Sequence, residues 1–267
     1  MGKLDGQVAI VTGAGRGLGR AYAHRLASLG AKVAVCDLDL TSYAEFELEA
    51  QAMTAETTVA EIEAGGGEAA GYEVDVTDEA AVKAMVDDVV EKWGRVDIVV
   101  CNAGGMDEGN VPATTSACDQ ASVQFVVDLN LCGTVNVVHA VAGHMKERRS
   151  GRIVTVSSLA ASTPNGAGGG GHYAAAKAAV AVYTRYLAQE LGPFGINANS
   201  IAPGSIGTGI VMRPGVASDA LVPRIALRRT GTVDDCAKVV EFLCTDLSDY
   251  VTGTVIPVDG GILGTDP

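Results

Sequence analysis

The chain has 267 residues, of which 48% are hydrophobic, so it is long and apolar enough for one large α/β domain or two small ones with a buried core. This composition excludes a disordered or fibrous chain. The formal net charge of −13 argues against nucleic acid as a partner, because binding to a phosphate backbone needs clustered Lys and Arg.

The cysteines and the apolar segments bear on the compartment. Six cysteines are scattered along the chain without a Cys-x-x-Cys pair, which suits a reducing cytoplasm better than a disulfide framework, and no metal site is predicted. The first strand follows Met1 within a few residues, so no signal peptide is expected. No uncharged apolar stretch reaches the ~18 residues of a membrane span, and no membrane association is predicted.

A strand, a glycine-rich turn and a helix follow one another at the beginning of the chain. Residues 8–11 form an apolar run that predicts a buried strand, residues 12–19 hold the glycines, and a helical pattern continues to Leu29. This is the context of a dinucleotide fingerprint, since glycines let the backbone approach a pyrophosphate and the helix N-terminus offers free N–H groups. Cofactor binding is therefore favoured over an ordinary tight turn.

The next strand, residues 32–36, ends at Asp37. An acid at this place in a βαβ nucleotide fold hydrogen-bonds the ribose hydroxyls of the adenosine, and it would repel the extra phosphate of NADP. Arg16 in the glycine turn could instead attract that phosphate. Because the Asp37 carboxylate opposes the phosphate directly, the sequence predicts NAD as the cofactor.

The middle of the chain continues the alternation of helices and strands. Residues 41–64 predict an extended helical insertion, either one helix or a broken pair, and we assign it no chemistry. Residues 72–76 predict a strand, and residues 78–93 predict an amphipathic helix. A further strand, residues 96–100, leads into small residues of the kind found where open α/β sheets bind ligands.

Polar residues stand out in the next helix and strand. A helix over residues 122–145 carries Asn130 within an apolar pattern, and a buried amide needs hydrogen-bond partners. On spacing alone, a functional Asn130 and one that only caps or satisfies the core are equally good interpretations. Residues 152–158 predict a strand that ends in two serines, and the glycine-rich loop 163–171 is expected to form a flexible wall beside the site.

The helix that follows places Tyr173 and Lys177 one turn apart on one face. A phenol titrates near ~10, but a neighbouring ammonium favours the phenolate and lowers its pKa. Lowering the pKa to near ~7 needs roughly 4 kcal/mol, so a second cation such as an oxidised nicotinamide is expected beside the pair. Taken alone, the spacing is common and more often belongs to an ordinary amphipathic helix.

The last part of the chain completes the fold. Residues 196–201 predict a strand, residues 205–230 form an irregular apolar segment typical of a substrate lid, and residues 233–247 and 254–258 predict the last helix and strand. The regular alternation predicts an α/β fold over residues 1–267, a single doubly wound (Rossmann) domain. Its mostly parallel seven-stranded sheet would carry helices on both faces.

With these residues placed, the sequence resembles the short-chain dehydrogenase/reductase family along nearly its whole length. The motifs occur in the family's order: the cofactor loop at residues 12–19, the Asn-Ala-Gly motif at residues 102–104 and the closing motif at residues 259–261. The residues that the resemblance and the glycine turn assign to the cofactor are Gly13, Arg16, Gly17, Leu18, Gly19, Asp37, Asp75, Val76, Asn102, Ala103, Gly104, Tyr173, Lys177, Pro203, Gly204, Ile206 and Thr208.

The resemblance also implies a catalytic tetrad of Asn130, Ser158, Tyr173 and Lys177. In alcohol oxidation, Tyr173 would accept the hydroxyl proton, Lys177 would lower the pKa of the tyrosine and hold the nicotinamide ribose, and Ser158 would steady the substrate oxygen. Asn130 would hold a water that passes the proton to solvent. Ser157 remains an alternative to Ser158, because the interval from serine to tyrosine is longer here than is usual in the family.

The function expected from this resemblance is NAD-dependent interconversion of a secondary alcohol and its ketone by hydride transfer. The apolar lid suggests a hydrophobic small-molecule substrate, while Arg213, Arg224, Arg228 and Arg229 could equally face a substrate carboxylate or solvent. Family resemblance implies a homotetramer. The alternatives are a family member that catalyses dehydration or epimerisation, and a dinucleotide sensor without turnover. A serine hydrolase is disfavoured because no Gly-x-Ser-x-Gly elbow occurs.

Overall fold

The computed structural model describes residues 2–106, 114–164, 168–209 and 221–262. In these ranges one sheet holds seven parallel strands in the order β3-β2-β1-β4-β5-β6-β7. The strands are β1 Val8–Thr12, β2 Lys32–Asp37, β3 Ala69–Glu73, β4 Ile98–Cys101, β5 Gly151–Val156, β6 Ile196–Pro203 and β7 Val255–Val258. The predicted doubly wound fold is confirmed, while its extent as a single domain over the whole chain stays a prediction.

Helices connect the strands and cover the sheet. They are α1 Gly17–Ser28, α2 Glu47–Ala52, α3 Thr58–Ala64, α4 Glu79–Trp93, α5 Gln120–Val127, α6 Gly133–Arg148, α7 Gly171–Leu191 and α8 Val233–Cys244. Short 3-10 helices lie at Ser42–Glu45, Thr115–Ala117, Leu159–Ala161, Gly192–Phe194, Val222–Arg224 and Asp246–Ser248. The order of the strands reverses between β1 and β4, which is where open α/β sheets form a ligand crevice.

The core is divided by the sheet into two layers. Side chains alternate along β1, so that Ala9 and Val11 pack with α1 and α8, while Val8 and Ile10 pack with α4, α6 and α7. A continuously apolar strand is buried on both faces for this reason, and all five residues of β1 are buried. Both layers leave the carboxyl ends of the strands open at one edge, where the polar motifs gather.

The third strand differs from its prediction. It was expected at residues 72–76, but β3 runs from Ala69 to Glu73 and pairs with β2 from Val33 to Asp37. The apolar Val76 is buried because it packs against Gly133 beyond the end of the strand, and not because it belongs to the sheet. The register places Asp75 and Val76 in the turn that follows β3.

The insertion at residues 41–64 is broken into short pieces instead of forming one helix. A 3-10 turn, α2 and α3 follow one another, and the buried Glu61 carboxylate joins them to α1. The Glu61 carboxylate accepts two hydrogen bonds of 2.7 Å from Arg20, one of 2.9 Å from His24 and one of 2.7 Å from the N–H of Thr54. Burial opposes ionisation, but these bonds outweigh it and hold the pKa of Glu61 at about 2.

One helical stretch, Gln120–Arg148, is long and apolar enough to cross a membrane by length and composition, with a mean hydropathy of 1.5 over its most apolar part. It lies on the sheet, and Val137, Val138, Val141 and Met145 from this stretch belong to the core. Its regularity is interrupted by a π-helical turn at Asp128–Cys132, which carries Asn130. Such turns are frequent at functional sites.

Candidate active site

The glycine turn between β1 and α1 forms a cradle of backbone. Gly13 and Gly17 adopt left-handed φ angles of 63° and 56°, and a Cβ on Gly19 would lie 1.9 Å from the carbonyl oxygen of Gly13. No described side chain caps the N-terminus of α1. The turn therefore brings backbone close together and leaves the first N–H groups of α1 to an anion, which fits the pyrophosphate of a dinucleotide.

Asp37 lies at the end of β2 beside this turn. Its carboxylate accepts a hydrogen bond of 2.8 Å from the N–H of Gly15, which fixes it next to the cradle. Burial raises the pKa of Asp37, and the backbone N–H groups and the Arg16 guanidinium oppose the rise. The position suits a carboxylate that accepts hydrogen bonds from ribose hydroxyls.

The Asn102–Gly104 turn after β4 is tied to the glycine turn. The Asn102 amide donates to the carbonyl oxygens of Thr12 and Gly13 at 2.9 and 3.0 Å, and the Thr12 hydroxyl accepts from the N–H groups of Asn102 and Ala103 at 3.0 Å. These bonds hold together the ends of two neighbouring strands at the point where the strand order reverses.

Asn130 and Lys177 converge on Gly104. A Cβ built on Gly104 would lie 2.5 Å from Asn130 Oδ1 and 2.9 Å from Lys177 Nζ, so no side chain fits at this position without movement. The Asn130 amide accepts from the N–H of Gly105 at 3.1 Å and donates to its carbonyl oxygen at 2.8 Å. Asn130 is fully buried, and its side chain fixes the turn after β4.

Lys177 is also buried, with a relative exposure of 4%. Its Nζ donates to the carbonyl oxygen of Val156 at 2.9 Å and lies 5.8 Å from the centroid of the Tyr173 ring. Burial lowers the pKa of Lys177 to about 8. The Lys177 amine therefore lies at the end of β5, one helical turn from Tyr173. It borders the crevice beside Gly104.

The two serines after β5 have different surroundings. The Ser157 hydroxyl is buried and donates to the backbone carbonyl of Lys177 at 2.8 Å. The Ser158 hydroxyl accepts from the N–H of Ala160 at 3.2 Å and is close enough to the Tyr173 phenol to lower its pKa. Of the two serines, Ser158 thus acts on the phenol, whereas Ser157 fastens β5 to α7.

Tyr173 corrects one expectation from the sequence. Burial raises the pKa of Tyr173 above 10.0, and the Ser158 hydroxyl opposes this rise. The expected lowering by Lys177 does not offset burial in the protein alone, because the lysine amine is engaged by Val156 and its own burial disfavours its charge. A phenolate near neutral pH needs a further cation, which an oxidised nicotinamide would provide.

The remaining cofactor candidates line the same edge. Asp75 is exposed, and its carboxylate accepts from the N–H and hydroxyl of Thr77 at 2.8 and 2.7 Å. Val76 is buried on the other side of this turn. The described residues contain no group of three or more His, Cys, Asp or Glu side chains that could hold a metal ion.

The segment after β6 begins beside the cradle. Pro203 ends β6, the N–H of Gly204 donates to Val258 at 3.0 Å, and Ile206 is buried. Thr208 reaches within 3.9 Å of a Cβ built on Gly17, so this segment borders the glycine turn. Residues 210–220, the central part of the predicted lid, lie outside the described residues, as do residues 165–167 of the predicted flexible wall.

Two residues at the cradle, Phe46 and Glu49, were not predicted from the sequence. Both belong to the insertion to which no chemistry was assigned, both are buried, and both contact Arg16. A phenylalanine and a glutamate three residues apart in a mixed helical segment carry no motif. Their only sequence signal is that the insertion is longer than a crossover needs.

Lys177 makes stability depend on pH in a defined direction. Its pKa falls from 10.5 to about 8 on burial, so between these values the unfolded chain binds the proton more strongly than the folded protein. The free energy of unfolding therefore gains about 3 kcal/mol from this group as the pH rises through the window. In urea titrations we expect the stability of the wild type relative to Lys177→Met to rise with pH across that window. A difference that does not change with pH would contradict the buried amine.

The parallel sheet, the glycine turn and the Ser-Tyr-Lys group define a nucleotide-dependent oxidoreductase. A family model described as enoyl-(acyl carrier protein) reductase matches residues 13–263, and the chain belongs to the short-chain dehydrogenase/reductase family. Within this family it is a secondary alcohol dehydrogenase or ketone reductase. The dinucleotide that it requires is a nicotinamide dinucleotide.

The chain is similar to several individual members of the family. The chain is 51% identical over 261 residues to the cyclohexanol dehydrogenase of Rhodococcus sp. (strain TK6), which covers 97% of each protein. It is 35% identical over 262 residues to a 3-oxoacyl-(acyl-carrier-protein) reductase of Thermotoga maritima, which covers 98% of this chain and 99% of that protein. A solved 7α-hydroxysteroid dehydrogenase, in complex with NADH and 7-oxo glycochenodeoxycholic acid, has a TM-score of 0.84 and 32% identity and covers 97% of this chain and 95% of its own.

Proposed function

We propose that the protein is an NAD-dependent dehydrogenase of hydrophobic secondary alcohols, which also reduces the corresponding ketones. The observation that carries this proposal is the buried Lys177 amine, whose Nζ lies 5.8 Å from the centroid of the Tyr173 ring, with Ser158 close enough to the phenol to lower its pKa. A bound NAD would supply the hydride acceptor at its nicotinamide. Every other requirement of the reaction falls to side chains of this chain.

The roles follow from the contacts. Tyr173 accepts the alcohol proton in oxidation and returns it in reduction, and Ser158 donates a hydrogen bond to the substrate oxygen as its charge changes. Lys177 holds the nicotinamide ribose from the crevice beside Gly104. Asn130 keeps this crevice open by holding Gly105, and a water near the amide would connect Lys177 to solvent.

The preference for NAD is argued from Asp37. Its carboxylate is fixed by the N–H of Gly15 at 2.8 Å, where ribose hydroxyls can donate to it and a 2′-phosphate would be repelled. The cofactor residues of the glycine turn and of the turns after β3, β4 and β6 extend from this position along one edge of the sheet. This arrangement supports an extended dinucleotide with its nicotinamide toward Tyr173.

Asp37→Ser is expected to raise the use of NADP relative to NAD. The substitution removes the repulsion of a 2′-phosphate and also one acceptor of the ribose hydroxyls, so kcat/KM should fall with NAD and rise with NADP. A change of about tenfold in the ratio corresponds to about 1.4 kcal/mol. Initial rates with both cofactors measure the ratio, and an unchanged ratio would remove Asp37 from the ribose site.

The substrate class is argued from the relatives and from the segment after β6. The names of two relatives describe alcohols whose hydroxyl is carried by a ring carbon: cyclohexanol and a 7α-hydroxysteroid. The described parts of the predicted lid contribute apolar side chains, of which Ile206 and Ile225 are buried. We therefore assign a cyclic secondary alcohol and its ketone as the preferred substrate pair.

A substrate panel tests the function. Formation of NADH, followed by absorbance, is expected with cyclohexanol and related alicyclic alcohols, and NADH consumption with their ketones, while primary alcohols of the same carbon number should react slowly. Tight NAD binding without turnover on any alcohol or ketone would support the dinucleotide sensor instead. Chemistry on the same compounds without net NADH formation would support dehydration or epimerisation.

Assembly and compartment are part of the same proposal. We infer a homotetramer built on α5 and α7, since these helices expose the apolar side chains of Phe125, Val182 and Tyr186. A cytoplasmic location is consistent with six free cysteines, four of them buried. Residues 1–267 would then act as one cofactor-binding and catalytic unit in each subunit.

A further inference from the structure

The guanidinium of Arg16 is held by the insertion at residues 41–64. It stacks on the ring of Phe46, with 3.9 Å between the guanidinium carbon and the ring centroid, and its Nη1 lies 3.4 Å from Glu49 Oε2. A cation stacked on an aromatic face and paired with a carboxylate has two attractive partners on the protein. Arg16 directly precedes α1 and is the one positively charged residue of the glycine turn. The insertion therefore fixes the orientation of this side chain.

Glu49 is itself firmly placed. Only 10% of its side chain is exposed, and its Oε1 accepts a hydrogen bond of 2.8 Å from the N–H of Gly209. A Cβ on Gly209 would lie 3.0 Å from the carboxyl carbon of Glu49 and 2.8 Å from Cβ of Phe46, so the close packing depends on a glycine there. One carboxylate thus joins the insertion to Arg16 and to the segment after β6.

Arg16 and Asp37 flank the place where a 2′-phosphate would lie. Gly15 connects them, since it precedes Arg16 and donates its N–H to the Asp37 carboxylate. Arg16 is close enough for its charge to lower the pKa of Asp37 against the effect of burial. An unengaged guanidinium at this position could pair with a phosphate by charge-assisted hydrogen bonds.

We propose that Glu49 is a specificity-determining residue, which disfavours NADP by keeping Arg16 on the insertion and away from the 2′-phosphate. Discrimination against NADP then has two parts, the repulsion by Asp37 and the withholding of Arg16. Replacing Asp37 alone removes only the repulsion and leaves Arg16 held by Glu49. This inference rests on the proposed NAD preference, which it deepens by naming the residue that controls Arg16.

The test measures binding of a 2′-phosphate without catalysis. Adenosine 2′,5′-bisphosphate and AMP differ only in that phosphate, so the ratio of their dissociation constants, measured by calorimetry, reports its contribution. In the Asp37→Ser background, Glu49→Gln keeps an oxygen for the N–H of Gly209 but removes the charge that holds Arg16. The ratio is expected to shift about tenfold or more toward the bisphosphate.

Matched variants identify the cause. Glu47→Gln makes the same charge change on an exposed residue of α2 and should leave the ratio of the Asp37→Ser protein unchanged. Adding Arg16→Gln to the Glu49→Gln protein should abolish the gain. Phe46→Leu, which removes the stacked ring while keeping an apolar side chain, should shift the ratio in the same direction as Glu49→Gln.

Two results would overturn the inference: a gain from Glu49→Gln no larger than that from Glu47→Gln, or a gain that survives Arg16→Gln. The NAD preference is judged by a separate measurement, the binding of NADH and NADPH to the wild type by fluorescence. Equal affinities there would refute the NAD preference, while the bisphosphate ratios would still report whether Glu49 controls Arg16.

Discussion

Tyr173→Phe is expected to lower kcat for alcohol oxidation by about 10²- to 10⁴-fold while NADH still binds. The substitution keeps the ring that packs beside Lys177 and removes only the hydroxyl that faces Ser158. It thereby removes the group proposed to accept the alcohol proton as hydride leaves. Stopped-flow or steady-state NADH absorbance measures the rate, and NADH fluorescence measures binding.

Tyr250→Phe is the matched control for this experiment. Tyr250 lies outside the site and outside the proposed interface, is fully exposed and undergoes the same loss of one hydroxyl. Its variant should keep kcat close to that of the wild type. Turnover of Tyr173→Phe within tenfold of the wild type, with binding intact, would exclude the phenol as the acid/base.

Ser158→Ala is expected to lower kcat by about 10²- to 10³-fold, the usual effect of losing one donor to an oxygen that gains charge in the transition state. The Ser158 hydroxyl opposes the rise of the Tyr173 pKa that burial causes, and its loss also removes this effect. Rates with cyclohexanol at saturating NAD, taken across pH, measure both consequences.

Ser157→Ala separates this role from a structural one. The Ser157 hydroxyl is buried and donates to the backbone carbonyl of Lys177, so its loss removes a buried hydrogen bond between β5 and α7. We expect a decrease of about 0.5–1.5 kcal/mol in the free energy of unfolding and a much smaller effect on kcat than in Ser158→Ala. The reverse pattern, with Ser157→Ala inactive and Ser158→Ala active, would exchange the two assignments.

Much of the site could be predicted because its motifs are local. The glycine turn, Asp37 and the Asn102–Gly104 turn each follow directly from a buried apolar strand, and parallel strands bring their carboxyl ends to one edge. Tyr173 and Lys177 are one helical turn apart, so their common face needs no tertiary information. The parallel seven-stranded sheet followed from the resemblance and from the alternation of strands and helices, whereas the strand order was not predicted.

The parts that could not be predicted depend on contacts between distant segments. Ser157 and Ser158 face different groups of α7, and the spacing of the two serines does not contain this difference. The position of β3 was missed because Val76 is buried by Gly133 and not by the sheet. The contacts of Glu49 with Arg16 and Gly209 join residues separated by 33 and by 160 positions.

The close approach at Gly104 has a consequence for how the enzyme folds. Gly104 and Asn130 belong to the connection from β4 to β5 and Lys177 to the connection from β5 to β6, and the two side chains leave no space for a Cβ on Gly104. Contacts of such long sequence separation form late, after the intervening loops have been closed at an entropic cost. Catalytic competence is therefore acquired only when β4, β5 and α7 have docked, and an amino-terminal fragment that ends before α7 would fold, at best, into an inert nucleotide-binding half.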